Sequence, residues 1–262
     1  DLVRSRGLGD VYKRQINNMV YFLSDCHLGA GYIVDPRAQE KALAAWLDSI
    51  AADASALYLL GDIIDYWFEY RNVVPRGYTR FLGALARLAD KGVEIVWLKG
   101  NHDIWMTDYL TSEIGCRIVD GLLDTHIAGR RFVMEHGDGV GRRPLAFRAL
   151  RRIFRSSTAR VLYAAIHPRW TVGFAHSWSR HSRKKGGYSG GAAATDNLQE
   201  WAVDFISAHG HVDYFIFGHL HHPEQRRLPD GALLTILGDS FRQMCYAAFD
   251  GENLTLSSIK AQ

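Results

Sequence analysis

The chain has few cysteines and no long apolar run, and both absences limit the class of protein it can be. Its 262 residues include three cysteines, Cys26, Cys116 and Cys245, which are widely separated and form no CxxC pair. An odd number of isolated cysteines argues against a disulfide-stabilised secreted domain and favours a reducing compartment. No apolar stretch approaches the ~18–20 residues of a transmembrane helix, and no secretory signal pattern is present. We therefore expect a cytoplasmic protein.

Acidic residues are absent from one long segment, residues 139–195. This segment contains twelve Lys or Arg residues, whereas the rest of the chain carries 19 basic and 28 acidic residues. A cationic segment on an acidic body predicts an anionic partner, which could be a substrate phosphate, a membrane surface or a nucleic acid. Apolar residues between Leu150 and Ile166 recur with helical spacing, so we interpret 139–195 as a helical insertion. The alternatives are that this apolar stripe packs on the protein body and that the basic residues form a solvated loop.

Elsewhere, short β-prone runs alternate with helical patterns. Helices are expected over Asp35–Asp53, Gly77–Lys91, Trp105–Ile114 and Asp196–Ala208. Strands are expected over Met19–Ser24, Leu57–Leu60, Glu94–Lys99, Arg131–Glu135, Tyr214–Phe217, Ala232–Leu237, Met244–Phe249 and Leu254–Ile259. The alternation predicts an α/β protein with a substantially parallel sheet.

Residues 1–15 do not resemble the start of this domain. The stretch DVYKRQ looks like a translated sequencing adaptor, so we expect the domain to occupy 16–262. A natural disordered leader is the alternative.

Five polar clusters follow five of the predicted strands at the point where each strand ends. They are Asp25-Cys-His27, Gly61-Asp-Ile-Ile-Asp65, Gly100-Asn-His-Asp103, His136-Gly-Asp138 and Gly218-His-Leu-His221. Open α/β sheets bind ligands at the carboxyl edge of their strands, so these side chains are expected to meet there.

Carboxylates and imidazoles in these clusters predict a centre of two divalent metal ions. One ion could take Asp25, His27, Asp62 and His221, and the other could take Asp62, Asn101, His136 and His219. In the D-x-H and H-x-H spacings, residues i and i+2 can point to the same side of the chain. A carboxylate shared through Asp62 would hold the ions ~3.5–4 Å apart. A nitrogen and oxygen ligand set without thiolate favours Mn²⁺, Fe²⁺ or similar ions over a structural zinc site.

Together the five clusters resemble the signature of the calcineurin-like metallophosphoesterases, and the resemblance spans about Val20–His222. It implies a four-layer αββα sandwich, two metal ions (often Mn²⁺) and hydrolysis at phosphorus. In this family pattern His102 is the candidate general acid or phosphate contact, and Asp103 would orient it by a hydrogen bond. The alternative for Asp103 is a helix N-cap. Asn101, His102 and His219 are the residues expected to contact substrate.

A narrower resemblance is to the UDP-2,3-diacylglucosamine diphosphatases of lipid A biosynthesis. It rests on DCHLGAGY, GDIIDYWFEYRNVVPRGY, GNHDIWM, HGDG and HPRWTVGFAHSWSR. It implies cleavage of a UDP-linked diacyl sugar at the inner face of the membrane, with 139–195 as a lid over the acyl chains. The alternatives are a phosphoesterase for soluble nucleotides or other phosphate esters, and a nuclease. No nucleic-acid partner is expected on the leading interpretation.

Overall fold

Two β-sheets form the centre of the molecule. The structure, a computed structural model, describes residues 19–171, 173 and 191–259. The first sheet has the strand order β11-β10-β1-β2-β3-β4 and the second has the order β5-β6-β7-β9-β8. Strands β1 to β4 are parallel to one another, and so are β6, β7 and β9, whereas the other strands pair antiparallel.

The strands and helices are numbered here in chain order. The strands are β1 (Met19–Leu23), β2 (Ala54–Leu60), β3 (Glu94–Leu98), β4 (Arg117–Val119), β5 (Leu123–Ile127), β6 (Arg130–Glu135), β7 (Tyr214–Phe217), β8 (Glu224–Arg227), β9 (Leu233–Ile236), β10 (Cys245–Phe249) and β11 (Leu254–Ser258). The helices are α1 (Pro36–Ile50), α2 (Thr79–Asp90), α3 (Tyr109–Ile114), α4 (Leu145–Phe154), α5 (Ser157–Ala164) and α6 (Ala192–His209).

The apolar side chains of each strand divide between two faces because successive side chains of a strand alternate. In β1, Val20 and Phe22 enter the core between the two sheets, where Phe22 stacks on Phe132 of the second sheet at 5.9 Å. Tyr21 and Leu23 enter the core between the first sheet and helices α1 to α3. A third core lies between α6 and the second sheet. The predicted αββα sandwich is therefore confirmed.

Helices α4 and α5 belong to the insertion and differ from the other helices. Neither contains a buried residue. Ile153, Val161 and Leu162 are 59%, 64% and 66% exposed, so most of the apolar stripe faces solvent, whereas Phe154 packs against Trp105 of the body with ring centroids 6.1 Å apart. The aromatic residues Phe174 and Trp178, the basic stretch 180–190 and the leader 1–15 lie outside the described residues. Among the described residues, no helix combines the length and hydropathy of a membrane span.

Most of the predicted elements are present, with differences at their ends. Helix α3 begins at Tyr109 rather than Trp105, because residues 105–108 form a loop that the Glu69 carboxylate holds through the Asp108 and Tyr109 amides. Strands β4, β5 and β8 were not expected. Strand β8 has the sequence EQRR, and its charged residues suit an edge strand with one partner.

Candidate metal centre

The carboxyl ends of β1, β2, β3, β6 and β7 bring the five polar clusters together. Five of the predicted ligands adopt a left-handed backbone conformation: Asp25, His27, Asp62, His219 and His221, with φ between 45° and 69°. Asp and His tolerate this region better than most residues, and such strain concentrates at functional sites. The sharp turns redirect each chain at its strand end, so that the side chains enter one cavity.

Glycines allow these loops to approach one another closely. A Cβ atom at Gly61 would lie 2.6 Å from the Gly100 Cα, and one at Gly218 would lie 2.6 Å from the Asp25 Oδ2. Any side chain at these two positions would displace the neighbouring loop or the Asp25 carboxylate. The glycines of the GD, GN and GH pairs are therefore part of the site.

The first group of predicted ligands comprises Asp25, His27 and His221. The His221 Nε2 lies 3.3 Å from the Asp25 Oδ1 and 3.4 Å from the His27 Nε2. The His27 Nε2 lies 3.7 Å from the Asp62 Oδ2. Ligand atoms of these three residues all lie within 4.8 Å of one another, which is close enough for them to bind one ion.

The second group comprises Asp62, Asn101, His136 and His219. The His136 Nε2 lies 3.4 Å from the Asp62 Oδ2 and 3.3 Å from the Asn101 Oδ1. Ligand atoms of Asp62, His136 and His219 again fall within 4.8 Å of one another. Asp62 lies between the two groups, at the position expected of a carboxylate that bridges two ions.

Hydrogen bonds on the far side of the imidazoles orient their Nε2 atoms toward the centre. The His27 Nδ1 lies 3.1 Å from the Asp65 Oδ1, and the His136 Nδ1 lies 2.8 Å from the Leu60 carbonyl oxygen. A carbonyl oxygen only accepts hydrogen bonds, so His136 Nδ1 carries the hydrogen and Nε2 is free to be a ligand. This is the usual arrangement of histidine ligands, and the donor set fits a pair of divalent cations.

The buried carboxylates of the centre favour positive charge beside them, whereas burial opposes a proton on the imidazoles. Burial alone would raise the pKa of Asp25, but the imidazoles of His221 and His136 outweigh it and bring the pKa to about 2. Burial, the largest influence on His219, lowers its pKa to about 4, which keeps this imidazole neutral near pH 7. Burial also opposes a proton on His136, yet the Asp62 carboxylate outweighs it and raises the pKa well above its usual value. The same negative potential would favour a divalent cation.

The prediction that Asp103 orients His102 is wrong. The Asp103 carboxylate is fully buried and accepts hydrogen bonds from the Gly100 and Ile63 amides and from the Trp97 indole. It therefore ties the loops after β2 and β3 together. The His102 Nδ1 instead lies 2.9 Å from the backbone oxygen of Asp65 and 3.4 Å from its Oδ1. Asp65, which was assigned no role from the sequence, thus supports both His27 and His102.

Two arginines of the insertion contact the chain around His136 and Asn101. They are Arg151 in α4 and Arg155, the residue that follows this helix. The Arg151 guanidinium lies 3.0 Å from the Glu135 Oε1 and 2.7 Å from the Asp138 Oδ2, and these two acids flank His136. Arg155 donates a hydrogen bond of 3.2 Å to the Gly100 carbonyl oxygen. Sequence reasoning counted these arginines as part of a basic segment but did not identify their partners.

An apolar cleft of 450 Å³ lies between the insertion and the loop after β2. Its lining includes Tyr66, Phe68, Val73, Val74 and Pro168. Nearby, the α5 residue Tyr163 packs against Phe68 and Trp105, with ring centroids 4.9 and 4.4 Å apart. The insertion therefore contacts the body through aromatic rings as well as through arginines.

Comparisons with known proteins agree with this geometry. The sequence model of the family described as Calcineurin-like phosphoesterase matches residues 19–223. A UDP-2,3-diacylglucosamine hydrolase of Porphyromonas gingivalis (strain ATCC BAA-308 / W83) is 43% identical over 261 residues, which cover 94% of this chain and 99% of the relative. A protein of the same description from Shewanella baltica (strain OS195) is 25% identical, and the match covers 91% of this chain and 96% of the relative. Another protein of this description, from Ralstonia nicotianae (strain ATCC BAA-1114 / GMI1000), is 25% identical, and the match covers 83% of this chain and 82% of the relative.

Proposed function

Because the chain belongs to the calcineurin-like phosphoesterase family, we propose that it hydrolyses the pyrophosphate bond of UDP-2,3-diacylglucosamine. The products would be UMP and 2,3-diacylglucosamine 1-phosphate, and the reaction would be a step of lipid A biosynthesis. The observation that carries the proposal is 43% identity over 94% of the chain to a relative described as the hydrolase of this compound.

Two divalent ions, which we propose to be Mn²⁺, would be held by the seven predicted ligands. Asp25, His27 and His221 would hold one ion and Asn101, His136 and His219 the other, with Asp62 shared. When bound, such a pair polarises phosphoryl oxygens and lowers the pKa of a water molecule so that it can attack phosphorus. The substrate pyrophosphate would therefore lie across the Asp62 carboxylate.

His102 is the residue we propose to donate a proton or hydrogen bond to the substrate. Its Nδ1 faces the Asp65 carbonyl oxygen, which only accepts, so Nδ1 carries a hydrogen. Its Nε2 lies 4.0 Å from the Asp62 Oδ2, on the side of the metal centre, and the side chain is 20% exposed. With its Nδ1 hydrogen held by the Asp65 carbonyl oxygen, the ring would give a proton to a leaving oxygen from Nε2, and therefore as the imidazolium that carries a hydrogen on both nitrogens. Asn101, which precedes it in the chain, and His219, whose ring contacts that of His136, would contact the same phosphate.

The insertion, residues 139–195, would act as a lid over the acyl chains. The apolar cleft beside it offers aromatic and aliphatic surface to a hydrocarbon chain, and Arg151 and Arg155 bring positive charge near the metal centre. A soluble phosphate ester needs neither feature. The lipid substrate also implies work at the inner face of the cytoplasmic membrane.

Product analysis by mass spectrometry tests the proposal directly. We expect UDP-2,3-diacylglucosamine to yield UMP and the acyl sugar 1-phosphate with Mn²⁺, and to remain intact with EDTA or with Asp62→Ala. An Asp48→Ala variant controls for the loss of a carboxylate, because Asp48 is a surface residue paired with Arg87. Turnover of a generic phosphodiester or of DNA without turnover of the lipid would contradict the proposed substrate and support the alternatives.

A further inference from the structure

A second cavity, separate from the apolar cleft, opens beside the metal centre. It has a volume of 1190 Å³ and runs along α1, facing the loop that follows β9 and residues of β10 and β11. We call it the aromatic groove and define it by Tyr32, Lys41, Trp46, Phe241, Arg242 and Tyr246. No role for these residues arises from the metal centre or from the insertion.

One residue of the groove, Phe241, contacts the first group of metal ligands. The Phe241 ring contacts the His27 and His221 rings, with centroids 5.9 and 5.6 Å apart and the rings nearly perpendicular. On its other side the same ring contacts Tyr32 at 5.4 Å. A substrate with phosphate at the metal centre would therefore have an aromatic surface within reach of its next group.

The groove and the insertion border different ends of the metal centre. Phe241 contacts ligands of the first group, whereas Arg151 and Arg155 contact the loops that carry His136 and Asn101, both of the second group. Asp62 lies between the two groups. A pyrophosphate placed across Asp62 would thus direct one substituent toward the insertion and the other toward the aromatic groove.

We propose that the aromatic groove binds the nucleoside of the substrate, with the base against Phe241 and Tyr32. This inference rests on the proposed function, because it assumes a pyrophosphate that joins a lipid to a nucleoside. Any nucleobase can stack on an aromatic side chain because every base has a π-face, and such stacking is a general means of binding a nucleotide. Arg242, whose guanidinium lies 5.7 Å from the Phe241 ring centroid, supplies positive charge near the phosphate attached to that nucleoside.

The composition of the groove suits a nucleoside better than an acyl chain. Aromatic rings line its base, but Lys41 and Arg242 are exposed, and Gln39, Ser49 and Ser258 also contribute to the lining. A ribose and a base need hydrogen-bonding groups around an aromatic surface, whereas a hydrocarbon chain gains nothing from them. The apolar cleft on the insertion side has the composition that a hydrocarbon chain requires.

Direct binding of UMP to the Mn²⁺-loaded protein tests the proposal without turnover. We expect calorimetry to show that Phe241→Ala weakens UMP binding about tenfold, a loss in the range of one base–aromatic stacking contact. Phe241→Trp should retain the affinity, and binding of inorganic phosphate should be equal in all three proteins. Val203→Ala, which shortens a 37% exposed side chain of α6 outside the groove and the apolar cleft, is the control and should bind UMP like the wild type. If Phe241→Ala does not fold, Arg242→Gln, a change at an exposed residue, should still weaken UMP binding about threefold.

Three results would overturn the nucleoside assignment. The first is unchanged UMP affinity in Phe241→Ala, or in Arg242→Gln if only that variant folds. The second is a parallel loss of phosphate affinity, which would show that Phe241 acts only through His27 and His221. The third is a selective loss of affinity for 2,3-diacylglucosamine 1-phosphate, which would place the acyl sugar in the groove. Failure of the proposed function is separate, since it would appear as no lipid hydrolysis by the wild type while UMP still binds through Phe241.

Discussion

At the scale of single residues, two buried carboxylates behind the metal centre hold its imidazoles and loops in place. The Asp65 Oδ1 lies 3.1 Å from the His27 Nδ1, and the Asp103 carboxylate joins the loops after β2 and β3. Replacing either carboxylate should therefore change a measurable property of the protein.

Asp65 gives the first prediction at this scale, because it supports His27 without belonging to the predicted ligand set. Replacing it with Ala would remove the carboxylate that lies 3.1 Å from the His27 Nδ1, whereas the backbone oxygen that faces the His102 Nδ1 would remain. Loss of such a supporting partner typically weakens metal affinity by about 10–100-fold. We expect a loss of this size in Mn²⁺ titrations of Asp65→Ala and none in Asp48→Ala. Equal Mn²⁺ affinity in the two variants would contradict the supporting role.

Asp103 gives a prediction about stability. Its carboxylate accepts three hydrogen bonds from N–H donors in a fully buried position. Asp103→Asn would place an amide NH₂ group against one or more of these donors, and an unsatisfied buried group costs about 1–3 kcal/mol. We expect the free energy of unfolding in urea to fall by that amount. A change in turnover with unchanged stability would instead support the idea that Asp103 acts through His102.

The seven predicted ligands could be identified from the sequence because each follows a parallel strand and is marked by an adjoining glycine or by D-x-H or H-x-H spacing. The partners of Asp103 could not, because its hydrogen-bond donors come from two different loops and a strand. Proximity in sequence to His102 gives no information about these donors.

At the scale of elements, the strands that enter a core were predictable and the edge strands were not. The apolar runs of β1, β2, β3, β6 and β7 are buried on both faces, which produces a continuous hydrophobic signal. Strand β8 has no such signal, because only its pairing with β9 makes it a strand. The contact of α4 with the body was also hidden, since Glu135 is a core-strand residue and Arg151 lies sixteen residues beyond it.

The Arg151 contacts lead to a prediction about the docking of α4. Glu135 and Asp138 are almost completely buried, so removal of Arg151 would leave two carboxylates without their main cationic partner. Breaking a buried ion pair from one side costs about 3–5 kcal/mol. We expect Arg151→Met to lower thermal stability and to accelerate proteolysis within α4.

Two variants make the Arg151 experiment specific. Arg148→Met removes an exposed arginine from the same helix and should leave proteolysis unchanged. Arg151→Lys keeps the charge and should restore part of the protection. Because Glu135 and Asp138 flank His136, Mn²⁺ affinity should fall in Arg151→Met as well. Proteolysis equal to that of Arg148→Met would show that the ion pairs do not hold α4.

At the scale of the whole molecule, alternating strands and helices predict an α/β protein with a substantially parallel sheet, and the family resemblance implies two stacked sheets. Which strand joins which sheet came only with the structure. The last three strands illustrate the reason. They look alike in sequence, yet β9 joins the second sheet whereas β10 and β11 extend the first. The periodicity of apolar residues predicts which face of a strand is buried, but it does not predict which strands pair with it. The exposure of α4 and α5 could not be predicted either, because an apolar stripe on a helix does not identify the surface that covers it.

The exposed apolar surface of α4 and α5 fits a lipid interface. Ile153, Val161 and Leu162 are more than half exposed, and arginines occur along both helices. Amphipathic helices with apolar and basic residues bind at the surface of anionic membranes, and each Lys or Arg near the surface adds about 1 kcal/mol of attraction. A substrate with two acyl chains would also have to leave the bilayer near the apolar cleft.

Vesicle binding provides the prediction at this scale. We expect the protein to sediment with vesicles that contain anionic lipid, and less so at high salt, because screening weakens the arginine contribution. The double change Val161→Glu and Leu162→Glu should reduce the partition coefficient at least about tenfold, since it removes two apolar side chains and adds repulsive charge. Leu122→Glu, a change of the same kind at a 41% exposed leucine between β4 and β5, should have no such effect. UMP affinity measured on all three proteins should be equal, because none of these residues lines the aromatic groove. Equal partition of the double variant and the wild type would rule out these helices as the membrane-facing surface, and the acyl chains would then have to reach the cleft by another route.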